Sequence, residues 1–248
     1  MPIRLVDGSM KIIRWLDRRS ELYGVLDEIE EFYGHPEDWN GGQTPNGGEY
    51  GEEYFDRWKQ DFTNWHIGHA KNLRDRTGCS SVLEVGCGMG NFVRGFNRLG
   101  VEAWGLDISR YTVENCHPEI RGRILWGDLS RSDTLPKRRF DLVIGYDVFE
   151  HVPKPHLVVE NVCNLSRRWI HAKIPDIRGL NQKESRKFDP THITGRSIRW
   201  WLERFKENNF DLFMDKDFTL LKWDPEYALA PTGAPDLSGL FKKKVVYK

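Results

Sequence analysis

Long apolar runs are missing from this 248-residue chain. No N-terminal stretch is long enough for a secretory leader, and no segment approaches the ~20 apolar residues of a membrane span. The expectation is a soluble, cytoplasmic protein. Cysteine is scarce. The four present, Cys79, Cys87, Cys116 and Cys163, form no C-x-x-C pair and have no histidine at zinc spacing. Reduced thiols follow, rather than a disulfide frame or a structural zinc. A charge imbalance is also missing: Lys+Arg and Asp+Glu both number 37. The basic excess of a dedicated nucleic-acid binder is therefore absent, and nucleic acid is disfavoured as a partner. The lysines and arginine of 183–187 read as a solvated loop.

The hydrophobic content of 39% supports a core, and the chain is long enough for one large α/β domain with additions. From residue 81 the pattern alternates. Strands are expected at 81–85, 102–106, 122–127, 140–146 and 169–174, with helices near 91–99, 109–116, 153–166 and 197–208. Such alternation implies a parallel sheet covered on both faces, with ligands beyond the carboxyl ends of its strands. Glu84, Asp107, Asp128 and Asp147 all fall at or near such ends. Before this core, 1–34 reads as helical after Ser9, a packing helix or a cover or dimerisation element. A glycine-rich turn region follows at 35–51, and Tyr50, Tyr54 and Phe55 beside it suit a closing lid or a packed linker. A helix is expected over 56–77, with Trp58, Phe62, Trp65, His69 and Leu73 on one stripe and Gly78 as its stop. His69 reads as a satisfied core or boundary histidine. After the core, strands are expected at 210–223 and 242–247, with loop between 225 and 239.

The most informative stretch is Val82-Leu83-Glu84-Val85-Gly86-Cys87-Gly88-Met89-Gly90-Asn91-Phe92. A short strand, a glycine turn and a helix start make a cradle where a ligand approaches the backbone closely and meets free N–H groups. The glycines run G-x-G-x-G, and Asn91 stands where the dinucleotide fingerprint G-x-G-x-x-G has its third glycine. Glu84 would repel a pyrophosphate but can pair with an ammonium group. About twenty residues on, Asp107 ends a second strand at the offset of a ribose ligand. The turn thus asks for a ribose and a cationic amino-acid end without a pyrophosphate, which describes S-adenosylmethionine.

These residues resemble motif I of the class I S-adenosylmethionine-dependent methyltransferases, an acid followed after one residue by G-x-G-x-G. Asp107 matches that family's ribose-binding acid, and Trp126-Gly127-Asp128-Leu129 resembles its adenine-contacting segment. The run 140–152, ending Glu150-His151-Val152, is similar to the fourth strand and E-H-V extension of the small-molecule branch (type 11, ubiquinone-biosynthesis-like). The resemblance spans about 80–211. It implies a Rossmann-like doubly wound seven-stranded sheet, mostly parallel with an antiparallel C-terminal hairpin, plus N-terminal helices. Residues 1–55 would form a cover and 56–248 the methyltransferase domain. It further implies S-adenosyl-L-methionine as cofactor, held by Glu84, Gly86, Cys87, Gly88, Gly90, Asp107, Ile108, Asp128, Leu129, Asp147 and Val148.

Methyl transfer from an activated sulfonium needs alignment and exclusion of water, and a general base when the acceptor is a hydroxyl. His151, His192 and Asp147 are the catalytic candidates; the alternatives are a cofactor-side or structural role for His151, loop fixing for His192 and capping for Asp147. Glu150, His151 and His156 match no standard metal spacing, so no metal is expected. The expected reaction is O-methylation of a small molecule, sugar or lipid-linked precursor, with a small-molecule or glycan acceptor and a homodimer possible through the N-terminal helix. Methylation of protein or RNA, a non-catalytic S-adenosylmethionine-binding module, and an NAD-dependent oxidoreductase are the alternatives. The Asn/Asp-Pro-Pro-aromatic signature of amino methylation is absent; Gly145-Tyr146-Asp147-Val148 stands in its place.

Overall fold

The computed structural model describes residues 39–40, 50–57, 61–175, 189, 191–213 and 236–243, with the backbone alone for 39–40, 213 and 236–243. The N-terminal helix expected over 1–34, the glycine-rich 41–48, the 183–187 cluster and the strand segments 214–223 and 244–247 lie outside the described residues. No helix among the described residues is long and apolar enough to cross a membrane.

The architecture is a doubly wound α/β fold around a five-stranded parallel sheet. In chain order the elements are β1 (Trp39–Asn40), α1 (Glu52–Arg57), α2 (Asn64–Thr77), β2 (Ser81–Val85), α3 (Asn91–Arg98), β3 (Glu102–Asp107), α4 (Arg110–Asn115), β4 (Ile124–Trp126), β5 (Phe140–Tyr146), α5 (Pro155–Leu165), β6 (Ser166–Pro175), β7 (Thr194–Gly195), α6 (Ile198–Glu207), β8 (Phe210–Phe213) and β9 (Asp236–Lys243). The strands lie in the order β4-β3-β2-β5-β6, all parallel, and the backbone of β9 pairs antiparallel with β6 and β8. β9 begins at Asp236, inside the stretch read from the sequence as loop.

The chain starts the parallel sheet at β2, winds outward through β3 and β4, then returns to place β5 on the other side of β2. The crevice this reversal opens above β2, between β3 and β5, is where such sheets bind ligands. β2 is buried at every position because helices cover both faces. Side-chain alternation divides the core. Leu83, Val85 and Val143 pack against Val158, Val162, Trp201 and Phe205 of α5 and α6. Val82, Leu142 and Ile144 pack against Ala70, Leu73, Phe92 and Phe96 of α2 and α3. Local chemistry sets the helix ends: Pro155 opens α5, where its missing N–H costs nothing, and the Ser197 hydroxyl accepts from the Trp200 N–H (3.0 Å) at the start of α6.

The helix expected over 56–77 is two. The second begins after Thr63, whose N–H donates to Nδ1 of His66 (3.2 Å). Its buried stripe is His66, Ala70, Leu73 and Thr77, so Trp65 is left 61% exposed. Gly78, at φ 60°, ends it as its position predicts, its N–H returning to the Arg74 carbonyl (2.8 Å). Where α2 meets the sheet, the Tyr146 hydroxyl contacts Nε2 of His69 (2.9 Å) and Nδ1 of His171 (2.6 Å). His69 is thus the satisfied histidine its place on the stripe suggests. Burial pushes His69 down to about 4 and His171 to about 3.

Both imidazoles are therefore neutral in the folded chain, and each contributes stability that is complete above pH 6.5 and is lost as pH falls toward its folded value. Between pH 7 and pH 5 the unfolding free energy of the wild type should fall by about 2 kcal/mol relative to His171→Phe. Urea unfolding at the two pH values measures this, and a constant difference would contradict a buried neutral His171.

Candidate functional site

The glycine turn after β2 is set by conformation and by crowding. Gly86, Gly88 and Gly90 have φ of 62°, 50° and 76°, the left-handed region that side chains disfavour. At Gly86 space is also lacking: a Cβ there would lie 2.5 Å from Cγ2 of Val148. The turn is tied to β3 by hydrogen bonds. The Cys87 N–H donates to the Leu106 carbonyl (3.2 Å) and the Gly88 N–H to Oδ2 of Asp107 (2.8 Å). Oδ1 of Asp107 accepts from the Ser109 N–H (2.8 Å). Burial pushes the Asp107 carboxyl up, and the N–H groups of Ser109, Gly88 and Ile108 pull it back part of the way. An ionised carboxylate has about four acceptor positions, so two backbone bonds leave Asp107 able to accept from a ligand.

Glu84 behaves differently. Alternation turns it to the α3 side of the sheet, where Oε2 accepts from the Val93 N–H (3.2 Å) in the first turn of that helix. Burial pushes its carboxyl well above the usual range. It supports the turn from beneath and does not line the cleft.

The cleft, about 970 Å³ including its open mouth, lies over the ends of β2, β3, β4 and β5. Its floor is Gly86 and Gly88 with Asp107 and Ile108, and one end is formed by Asp128, Leu129 and Ser130. Oδ1 of Asp128 is held by the N–H (2.8 Å) and hydroxyl (2.6 Å) of Ser130. Asp147, Val148 and His151 form the opposite wall. Asp147 has φ 52°, a strained value for a residue with a side chain, and is pinned by its N–H to the Lys173 carbonyl (3.0 Å) and by its carboxylate to the Lys173 ammonium (3.1 Å). Tyr50, Tyr54 and Phe55 close the top. They are anchored by the Ser109 hydroxyl on the Tyr50 carbonyl (2.6 Å) and by the stack of Phe55 on Tyr111 (ring centroids 5.9 Å apart).

Beside this wall, the turn at 149–151 meets the segment 189–195. The Ile193 N–H donates to the Glu150 carbonyl (2.9 Å) and the Thr194 hydroxyl to the Val152 carbonyl. β1 pairs with β7 across the same segment. Nδ1 of His151 contacts the Thr191 hydroxyl (2.8 Å), which donates to Oδ1 of Asp189 (2.5 Å). The Tyr54 hydroxyl reaches the other Asp189 oxygen (3.3 Å). The Glu150 side chain is 1% exposed, with no hydrogen bond to either oxygen among the described residues. Its Oε1 is 3.7 Å from Nε2 of His151 and 4.0 Å from Nε2 of His192. Burial pushes Glu150 well up, His151 down to about 4, and His192 down.

Of the residues expected at the site, the cleft gathers Gly86, Gly88, Asp107, Ile108, Asp128, Leu129, Asp147, Val148 and His151. Glu84, Cys87, Gly90 and His192 do not line it. Cys87 is buried under the turn against Gly105, and His192 sits behind His151 with the rings 4.8 Å apart. His156, expected near Glu150 and His151, is exposed on α5. His192 takes its place, so that one oxygen of Glu150 and one nitrogen each of His151 and His192 lie within 4.8 Å of one another, a spacing that permits a metal ion. Sequence reasoning assigned no role to Asp189 or Thr191. Their separation by one residue, which lets a side-chain oxygen accept from the backbone two positions on, was the available signal.

A family model described as a methyltransferase domain matches residues 50–213. The ubiquinone biosynthesis O-methyltransferase of Alkalilimnicola ehrlichii is 32% identical over 98 residues, which is 36% of this chain and 38% of that protein. The match thus spans well under half of the relative's length. Among solved structures, magnesium protoporphyrin IX methyltransferase from Synechocystis PCC 6803, with bound SAH, aligns with a TM-score of 0.56 at 15% identity, over 79% of this chain and 97% of that one. A TehB-like SAM-dependent methyltransferase from Corynebacterium glutamicum gives 0.55 at 17% identity, over 80% and 100%. At these identities the structural likeness shows the fold.

Gly86→Ala should destabilise the chain by about 1–3 kcal/mol, because the new methyl meets Val148 and the backbone keeps a disfavoured φ. Gly68→Ala, within α2 where nothing lies within 4 Å of the added Cβ, should instead stabilise by about 0.4–1 kcal/mol. Thermal or urea unfolding of the pair checks both, and equal effects would contradict the crowding at Gly86.

Proposed function

The chain belongs to this methyltransferase-domain family, and we propose that it uses S-adenosylmethionine to methylate an oxygen of a small molecule, sugar or lipid-linked precursor. The observation that carries the reading is Asp107, a buried carboxylate with acceptor positions left over, facing the cleft beside a glycine turn. The cradle fits the donor in three respects. Gly86 and Gly88 let a ligand approach the backbone, Asp107 suits a pair of ribose hydroxyls, and Asp128 with Leu129 suits the edge of an adenine. Glu84 serves this site indirectly, by holding the first turn of α3.

S-adenosylmethionine supplies a methyl group on a sulfonium carbon and leaves as S-adenosylhomocysteine. The chain's own work is alignment, exclusion of water and removal of one proton. Tyr50, Tyr54 and Phe55 cover the donor. His151, neutral at pH 7 through burial, accepts the acceptor's hydroxyl proton from the cleft wall. Asp147, held in its strained conformation by Lys173, shapes the same wall, and His192 packs behind His151 as its support. The oxygen preference draws on His151 and on the relative named an O-methyltransferase. In this reading residues 1–55 form the cover of a domain over 56–248. The antiparallel pairing of β8 and β9 at the sheet edge supports a seven-stranded, mostly parallel sheet.

Calorimetry tests the donor assignment without knowledge of the acceptor. S-adenosylhomocysteine should bind the wild type, and Asp107→Ala should weaken it at least tenfold, about 1.4 kcal/mol, with the near-ultraviolet circular dichroism retained. Binding of NAD in place of S-adenosylhomocysteine, or an unchanged affinity in the variant, would overturn the assignment.

A further inference from the structure

We propose that Asp189 and Thr191 are positioning residues that lock His151 in the tautomer with its proton on Nδ1, so that Nε2 carries the lone pair and is the ring's proton acceptor. The use made of that lone pair rests on the methyl-transfer reading above; the tautomer itself does not.

The hydrogens available in this group fix the tautomer. Oδ1 of Asp189 accepts from both the N–H (2.9 Å) and the hydroxyl (2.5 Å) of Thr191. A carboxylate only accepts, and a threonine hydroxyl has a single hydrogen. That hydrogen is committed to Asp189. The 2.8 Å contact between Thr191 Oγ1 and His151 Nδ1 is therefore a bond that Nδ1–H donates. Tyr50 also neighbours the Thr191 hydroxyl, and a phenol donating there uses the second lone pair and leaves the assignment unchanged. Asp189 is ionised: burial raises its carboxyl, but the Thr191 hydroxyl, the Thr191 N–H and the two histidines bring it below its usual range. A neutral ring carries one N–H, so Nε2 is bare.

The groups around Nε2 agree with this. Oε1 of Glu150 is 3.7 Å away, too far for a hydrogen bond that would hold a proton on Nε2. Burial raises the Glu150 carboxyl well above its usual range, and neither of its oxygens has a hydrogen-bond partner among the described residues. Tyr50 meets the His151 ring edge-on, with centroids 6.3 Å apart, and His192 closes the side away from the cleft.

In methyl transfer the proton of the acceptor hydroxyl passes to Nε2 of His151. The oxygen's electron pair forms the new bond to the methyl carbon, and the carbon–sulfur pair stays on sulfur. The ring then carries two N–H groups and a positive charge. Its Nδ1–H remains on Thr191, and the ionised Asp189 behind Thr191 stabilises that charge. The relay thus serves before the transfer, by baring Nε2, and after it, by balancing the cation.

Two-bond nitrogen–proton correlation spectra of protein labelled with ¹⁵N-histidine, recorded at pH 7, read the tautomer directly and need no acceptor. The His151 signals are assigned by their loss in His151→Gln. Wild type and Thr191→Ser should show a protonated Nδ1 and a bare Nε2, and Thr191→Val and Asp189→Asn should lose that pattern. A wild-type His151 protonated on Nε2, or a Thr191→Val spectrum like that of the wild type, would overturn the proposal. If Thr191→Val does not fold, the wild-type tautomer alone decides. S-adenosylhomocysteine calorimetry reports on the donor site separately, so failure of one reading is distinguishable from failure of the other.

Discussion

One carboxylate joins the two loops that form the floor of the cleft. Asp107 ends β3 and reaches across to the turn after β2, accepting from the Gly88 N–H with one oxygen and from the Ser109 N–H with the other. Two loops that would otherwise present unpaired donors to a buried region are joined through a single side chain. The left-handed glycines make the turn tight enough to reach it, and the reversal of strand order at β2 places it under an open crevice. If this bridge were lost, the turn, the start of α4 and the floor of the cleft would all lose a partner.

Two kinds of construction meet in the cleft. The half floored by Gly86, Gly88 and Asp107 is built on backbone at the ends of central strands, the most rigid part of an α/β fold. The half walled by Asp147, Val148 and His151 is built on turns; His151 is tied to Thr191 and through it to Asp189, and Asp147 to the sheet through Lys173. That division suits a site where one ligand is common to a family and the other is particular to the chain. The cost of the second half is visible in the left-handed Asp147 and in a Glu150 carboxyl with no hydrogen bond among the described residues. Strain and unsatisfied polarity of this kind gather where function needs them.

The sequence was most legible where one physical cause dominates. β2 at 81–85 and β5 at 140–146 have the expected bounds because a run buried on both faces leaves no competing pattern. The glycine turn and Asp107 were legible because their spacing has a mechanical reason. The helix over 56–77 misled because Phe62 and Trp65 fit a helical stripe, while Thr63 and His66 form a helix start that shifts the buried face by one residue. Glu84 was read as a ligand for an ammonium group from its place in the motif. In the structure its strand face turns it toward α3, where it accepts from the Val93 N–H. The group at 150–151 and 189–192 could be read only in part, since contacts between segments some 40 residues apart depend on how the 149–151 turn and the 191–195 segment clasp each other. Histidine at 192 stood out by type, but Asp189 and Thr191 carry the bonds that orient His151.

The central claim is that this cleft seats a methyl donor between Asp107 and His151. A crystal structure of the chain with S-adenosylhomocysteine tests it most directly. The account predicts both ribose hydroxyls on the Asp107 carboxylate, the adenine beside Asp128 and Leu129, and the sulfur directed toward the His151 wall. A ligand whose ribose lies away from Asp107, or whose sulfur faces away from His151, would contradict it.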